Sequence, residues 1–314
     1  MRYYTRKGTP SRRYSSWAAG LAILCASLLP CASLQAGDDG TSSIIADGAT
    51  LTLAATGYDF TEGPATDAEG NVFFTDQPNN RILKWNVDGG VELFMQDAGR
   101  ANGLYFDNEG NLIACADEQN QLWRISPEHQ VEILLTDFRG KKFNGPNDAW
   151  VAPDGGIYFT DPYYQREWWT RTEPEMESQN VYFLTPAGEV TVMDDDLVQP
   201  NGIIGSANND QLYVADIGAG VTWVYDRAAD GTLVNKREFA AMGSDGMTTD
   251  IEGNVYLTGD GVTVFNSAGE QIAHIAVDED WTANVTFGGS DRNILFITAM
   301  DSVYTLEMAV QGVR

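Results

Sequence analysis

Apolar residues in this chain come in short runs, each entered by a turn rich in Gly, Asn and Asp. GNVFFTD begins at position 70, GNLIACAD at 110, GGIYFTD at 155, DQLYVAD at 210, GNVYLTG at 253 and RNILFIT at 292. The successive spacings are 40, 45, 55, 43 and 39 residues. Each run has the length and the aliphatic and aromatic make-up of a strand. Most copies are followed by a second run of the same kind: RILKW, QLWRI, NVYFL, VTWVY, VTVF and SVYTL. Several then add a further strand after a turn, as in VELFM and VEILL. No long helical period separates them. Four short strands recurring every ~40–45 residues predict a β-propeller, and six copies predict six blades. The last copy stops after its third strand, near Leu306, while ATLTLAA at 49–55 is a spare strand at the other end. The expected fold is therefore an all-β, six-bladed β-propeller closed by an N-terminal strand, which leaves no free sheet edge between first and last blade.

The first 36 residues carry Arg2, Arg6, Lys7, Arg12 and Arg13 and no acid, then the apolar run WAAGLAILCASLLPCASL and a small-residue end at Ala36. A basic start, an apolar middle and a small-residue exit predict an export signal over 1–36. Pro30 and the small residues weaken the run as a lasting membrane anchor. The expectation is a periplasmic or secreted protein without stable membrane insertion, with one domain over 37–314. Cleavage would leave 14 of the 19 basic residues against all 45 acids, a formal charge of −31. Such a surface repels nucleic acid and anionic membrane.

A second register lies in front of the strands. Eight residues before each repeat start, or nine in the fourth, stand Glu62, Asn102, Asn147, Asn201, Asp245 and Asn284. Every blade offers a side-chain oxygen there, and none a hydrophobic residue. Taken singly, an Asn-Gly or Asp-Gly pair marks a turn. Six at one register, at the start of the strand that lines the channel, predict a ring at one mouth of the propeller. Two carboxylates and four amides crowded together need a partner. Oxygen donors of this kind suit Ca²⁺ or Mg²⁺, whereas Zn²⁺ draws chiefly on His and Cys. His129 and His274 have no partner signature, and Cys115, in the strand LIACAD, reads as a buried structural thiol.

The stretches TEGPATDAEGNVFFTD, FNGPNDAWVAPDGGIYFTDP, QPNGI and SDGMTTDIEGNVYLT resemble those of the gluconolactonase, senescence-marker-protein and luciferin-regenerating-enzyme family of six-bladed propellers, over roughly residues 55–305. NGPND followed by YFTDP is most similar to the bacterial gluconolactonase branch. The resemblance implies one divalent cation at the channel mouth, often Ca²⁺, with Mg²⁺, Mn²⁺ and Zn²⁺ as alternatives. It implies Glu62, Asn147, Asn201 and Asp245 as its ligands and Asp245 as the group that activates water. The implied reaction is hydrolysis of a small-molecule lactone. A phosphotriesterase or other esterase on the same metal site is the second reading, and a non-catalytic ligand-binding propeller the third. Some animal members carry a sugar-contacting arginine where this chain has Gly145.

Asn102 and Asn284 complete the ring as candidate substrate-binding residues, together with Asn144. The third repeat is about a dozen residues longer than the others, the excess being PYYQREWWTRTEPEMESQ at 162–179. Its Trp168 and Trp169 suggest a lid or pocket wall that touches substrate; packing of the loop onto itself or an oligomer contact are the alternatives. FRGKKF at 138–143 should lie on the same face, where it offsets nearby acids or, as the alternative, steers an anionic substrate. Asp76, Asp161 and Asp216, which recur after the second strands, read as turn-capping groups.

Overall fold

A computed structural model describes residues 44–313. The expected signal segment, 1–36, lies outside the described residues. Residues 44–313 form six antiparallel sheets of four strands each, the six-bladed propeller read from the repeats. The inner strands are Thr61–Thr66, Ala101–Phe106, Ala149–Val151, Pro200–Gly205, Met247–Thr249 and Thr282–Gly288. The second strands are the repeat cores themselves, such as Val72–Asp76 and Ile157–Asp161, and both of these are buried along their whole length. Two-sided burial explains why they read as continuous apolar runs and not as alternating ones. The outermost strands instead face solvent; Val131–Leu135 exposes its first three residues.

Closure is as expected. Thr52–Thr56 pairs antiparallel with Ser302–Glu307, from Thr52 opposite Thr305 to Thr56 opposite Ser302. The outer strand of the sixth blade therefore comes from the opposite end of the chain. Blades pack through aromatic and aliphatic layers: one cluster joins Trp150, Tyr158 and Phe183 of the third blade to Ile203, Tyr213 and Val214 of the fourth and Met247 of the fifth. Full burial of side chains of this size is worth roughly 1.5–3 kcal/mol each. Cys115 is buried and free, as its strand context implied.

The aspartates after the second strands act as caps. Asp76 Oδ1 accepts the N–H groups of Asp59 (3.1 Å) and Phe60 (3.3 Å). Asp161 takes those of Asn144 (2.9 Å) and Gly145 (2.8 Å), and Asp216 those of Val198 (2.9 Å) and Gln199 (2.8 Å). In each case one carboxylate fixes the two-residue approach to the inner strand of its own blade. Among the described residues, no helix is long and apolar enough to cross a membrane.

Candidate active site

All six residues of the predicted ring are buried at the leading ends of the inner strands. Two local devices put them there. The ladder between first and second strand breaks register beside four of them: between Glu62 and Ala65, Ala101 and Leu104, Pro200 and Ile203, and Thr282 and Asn284. Such bulges re-aim a side chain at a strand end. The second device is the glycine that follows a ring residue. A Cβ on Gly63 would stand 2.1 Å from the Asn102 carbonyl oxygen, and one on Gly103 2.5 Å from that of Asn147. On Gly246 it would fall 1.9 Å from Cγ of Asn284. The glycines are thus the points where one blade's ring residue passes against the next. The backbone follows the same circuit, with Gly103 N–H donating to Asn147 O (2.7 Å) and Gly246 N–H to Ala283 O (2.8 Å). Threonines of the second strands add a further tie. Thr75 Oγ1 donates to Asn102 O (3.0 Å) and Thr160 Oγ1 to Asn201 O (2.6 Å), each in the following blade.

The side chains divide by how their polar atoms are used. Asn201 Nδ2 donates to Asp245 Oδ1 at 2.7 Å and to the Tyr164 hydroxyl at 3.0 Å. Both of its N–H groups are spent, so its Oδ1 is left as an acceptor. Asp245 Oδ2 accepts the indole N–H of Trp281 at 2.6 Å. Glu62 Oε2 accepts from Gly63 N–H (3.0 Å) and from Asn284 Nδ2 (3.4 Å). Asn284 differs from the other amides: its Oδ1 is taken by its neighbour's N–H, from Val285 at 2.8 Å. It therefore presents a donor to Glu62 and braces that carboxylate.

Burial raises the carboxyls here. Glu62 is lifted well above the usual carboxylate range by burial and then by the charge of Asp245, against the Gly63 N–H. Asp245 is raised to about 6 by burial, opposed by the Trp281 and Asn201 hydrogen bonds and by the Arg166 charge. Asp148, beside Asn147, reaches about 7 through burial, held back by the Ala149 and Ile203 N–H groups and by Asn284. Two carboxyls that burial and mutual repulsion push towards protonation are what a bound cation would reverse. Among the described residues no group of three or more His, Cys, Asp or Glu is placed to hold a metal. Part of any coordination sphere at the mouth must therefore come from amide oxygens. The set Glu62, Asn147, Asn201 and Asp245 fits a hard divalent cation: four oxygen-bearing side chains and two formal negative charges. A cavity of about 690 Å³ lies elsewhere along the axis, with Asp148 and Asn284 at its head and the turns around Asp67, Asn108 and Asn209 along its wall. It is the channel below the ring and not the mouth.

The long loop of the third blade reaches across the mouth to the second blade. Arg166 Nε donates to Asp117 Oδ2 (2.7 Å), and Trp169 Nε1 donates to Asp117 O (2.9 Å). Trp168 lies between two guanidiniums, those of Arg100 at 4.7 Å and Arg166 at 5.6 Å from its ring. Tyr164, through Asn201, ties the loop to the ring itself. The basic stretch FRGKKF at 138–143 also serves the loop: Lys141 Nζ pairs with Glu177 at 3.1 Å, and Lys142 N–H donates to Glu175 at 2.9 Å. Asn144, a candidate for substrate, has its Nδ2 and backbone carbonyl occupied and its Oδ1 without a hydrogen-bond partner. Its Nδ2 donates to the carbonyls of Asp161 (3.0 Å) and Ser178 (2.9 Å), and its own carbonyl accepts from Arg171. It clamps the loop base. Gly145 is glycine because a Cβ there would lie 2.7 Å from Asp117 Oδ1 and 3.0 Å from the Trp169 ring.

Sequence reasoning did not find Trp281 or Arg166. Trp281 stands three residues before ring member Asn284 in DEDWTAN, and Arg166 stands between the flagged aromatics. A search for polar atoms flanking the ring register reaches Trp281 but not Arg166.

The fold and the mouth together define a class: six-bladed propellers with an acidic, oxygen-lined site at one end of the channel. The sequence profile of the SMP-30/Gluconolactonase/LRE-like region matches residues 60–301, and the chain belongs to that family. It is 27% identical to a gluconolactonase of Zymomonas mobilis over 292 residues, covering 83% of this chain and 82% of the relative. A solved gluconolactonase structure from Xanthomonas campestris is 30% identical, with a TM-score of 0.79 over 84% of this chain and 91% of that one. A calcium-binding regucalcin from Agrobacterium tumefaciens shares the fold at 18% identity, with a TM-score of 0.71 over 84% of this chain and 95% of that one.

Proposed function

We propose that this chain is an exported, metal-dependent hydrolase that opens the ring of a small lactone. The observation that carries the reading is the joint burial of Glu62 and Asp245 with Asn147 and Asn201 in one register at the mouth, in a chain whose relatives include gluconolactonases. Glu62, Asn147, Asn201 and Asp245 would hold the cation, for which Ca²⁺ suits an all-oxygen set. When bound, a divalent ion polarises a carbonyl and stabilises the oxyanion that forms from it.

The chain's own groups supply the rest. Asp245 is the base. Its carboxylate is fixed on both oxygens by Asn201 and Trp281, held ready to take a proton and to give it back. It takes a proton from water as the water oxygen attacks the lactone carbonyl carbon. The ring C–O bond then breaks, and the proton passes to the departing alkoxide, leaving a hydroxy acid. Asn284 keeps Glu62 turned to the axis. The loop carrying Tyr164, Arg166 and Trp168 walls one side of the site and limits access of bulk water.

The test is a panel of sugar lactones, a phosphotriester and a simple ester, assayed before and after EDTA and after return of Ca²⁺, Mg²⁺ or Mn²⁺. Lactone hydrolysis lost with chelation, restored by metal and abolished in Asp245→Ala is the expected result. Full metal-dependent activity in Asp245→Ala or Asn201→Ala would falsify the assignment. Phosphotriester turnover alone would move the reaction to another ester class.

A further inference from the structure

The donors on the loop wall are in surplus. Arg166 spends Nε on Asp117 at 2.7 Å, and among the described residues its two terminal amino groups have no recorded acceptor. Its side chain keeps 15% of its surface exposed. Three buried nitrogens without a hydrogen-bond partner lie on the same loop: Trp168 Nε1 and Arg171 Nε and Nη1. Charge follows the same pattern. The guanidiniums of Arg166, Arg171 and Arg100 all act on the one buried carboxyl of Asp117. Arg100 has its own partner in Glu118 at 3.4 Å, and Arg171 rests on the Asn144 carbonyl. In a chain of formal charge −26, one wall of the mouth thus gathers the three guanidiniums of Arg166, Arg171 and Arg100 around Asp117. That wall also adjoins the reacting groups: Tyr164, under the Arg166 guanidinium at 5.4 Å, accepts from Asn201, and the Arg166 charge is felt at Asp245.

We infer that Arg166 is a specificity-determining residue which binds an anionic oxygen group, a carboxylate or a phosphate, borne by the substrate some way from its lactone carbonyl. The inference rests on the lactone reading above. A planar guanidinium anchored through Nε presents its two outer amino groups as a pre-set fork, the geometry that pairs with carboxylate and phosphate. Asp117 and the Trp168 and Tyr164 rings hold that fork still, so little rotamer freedom is lost on binding. Gly145 makes the arrangement sterically possible, since any side chain there would displace Asp117 or Trp169.

The test compares kcat/KM of the wild-type enzyme for three lactones: a neutral aldonolactone, a monolactone of an aldaric acid that keeps a free carboxylate, and a phosphorylated aldonolactone. The expected result is a preference of at least tenfold for one charged substrate over the neutral one, and which of the two wins identifies the source of the anion. In Arg166→Gln the charged-over-neutral preference falls at least tenfold, mainly through KM of the charged substrate; Arg166→Lys recovers part of it. A wild type that opens neutral lactones without preferring either charged one overturns the inference and leaves lactone hydrolysis standing. An equal loss on neutral and charged substrates in Arg166→Gln overturns it too, by making the residue structural. A chain that opens none of the three overturns both readings. The wild-type ranking stands whether or not the variants fold.

Discussion

Replacing Gly103 by alanine should break the ring without touching any of its side chains. The added Cβ would lie 2.5 Å from the Asn147 carbonyl oxygen, 2.5 Å from Asp148 Oδ1 and 2.6 Å from the Asp148 Cα. Ordinary contact begins at 3.4 Å, so the third blade must retreat by about 0.9 Å at this point. Two of the three atoms are backbone, and the Gly103 N–H bond to Asn147 at 2.7 Å holds the strands together here. Relief by side-chain rotation is therefore closed off. Overpacking of a tight site costs about 1–3 kcal/mol, and backbone neighbours place this case at the upper end. A domain of this size loses about 2–4 °C of Tm per kcal/mol, which gives a fall of about 6–12 °C in differential scanning calorimetry. Asn147 would move with the backbone, and a shift near 1 Å at a positioning group can cost about a hundredfold in rate. Gly188→Ala is the control. Its Cβ meets nothing within 4 Å although φ is +88°, so it reports backbone strain alone and should lower Tm with full activity. If Gly103→Ala melts with wild type and hydrolyses lactone within twofold of it, the ring is not held by blade-to-blade contact at the glycines.

Other expectations follow from the same geometry. Saturating Ca²⁺ at a hundred times its Kd should stabilise the folded chain by about 2.7 kcal/mol, and Glu62→Gln should abolish most of that Tm gain. Trp281→Phe removes a hydrogen bond to a carboxylate, worth about 1.5–3 kcal/mol, and should cut kcat about tenfold or more; activity within twofold would deny Trp281 its part in holding Asp245. Cys115 is buried with its thiol pushed well up, by burial and then by nearby aspartates, so a thiol reagent should leave the native protein unlabelled and react only on unfolding. Burial raises Asp161 to about 7, against about 3.9 in the unfolded chain. Between those values the folded state holds more protons, so this group's contribution to stability falls as pH rises from about 4 to 7 and is flat above. Denaturation in urea at several pH values, with Asp161→Asn flattening this component of the slope, checks the sign.

Much of this protein was legible because a propeller repeats its constraints. Every second strand is buried on both faces and must be apolar. In three blades the approach to the inner strand has two N–H groups capped, by Asp76, Asp161 and Asp216 from the same relative position. The ring register was legible for a further reason: the glycine after a ring residue is demanded by the neighbouring blade, so Glu62-Gly63, Asn102-Gly103, Asn201-Gly202 and Asp245-Gly246 recur as pairs. Contacts made once were hidden. Trp281 reaches Asp245, 36 residues away, and Arg166 reaches Asp117, 49 residues away, and neither follows from any period. Asn144 also clamps the loop base through its Nδ2, and Asn284 keeps the register while turning its donor to Glu62.

The distinction between Asn284 and Asn201 bears on why the ring is built from so many amides. Six carboxylates at one mouth would need several cations, or protonation, to be tolerated. Two carboxylates match one divalent ion, and the amides then have separable tasks. Asn201 spends both N–H groups on Asp245 and Tyr164 and so presents oxygen to the axis. Asn284 spends its oxygen on Val285 and so presents N–H to Glu62. An aspartate at 284 could not do this: it would carry a third negative charge to within 3.4 Å of Glu62 Oε2, in a site where burial already drives both carboxyls towards protonation. Asn284→Asp should therefore weaken lactone turnover near neutral pH, and the loss should diminish as pH falls and the added carboxyl is protonated. A variant whose activity is unchanged at pH 7.5 would show that Asn284 does not face Glu62 as a donor.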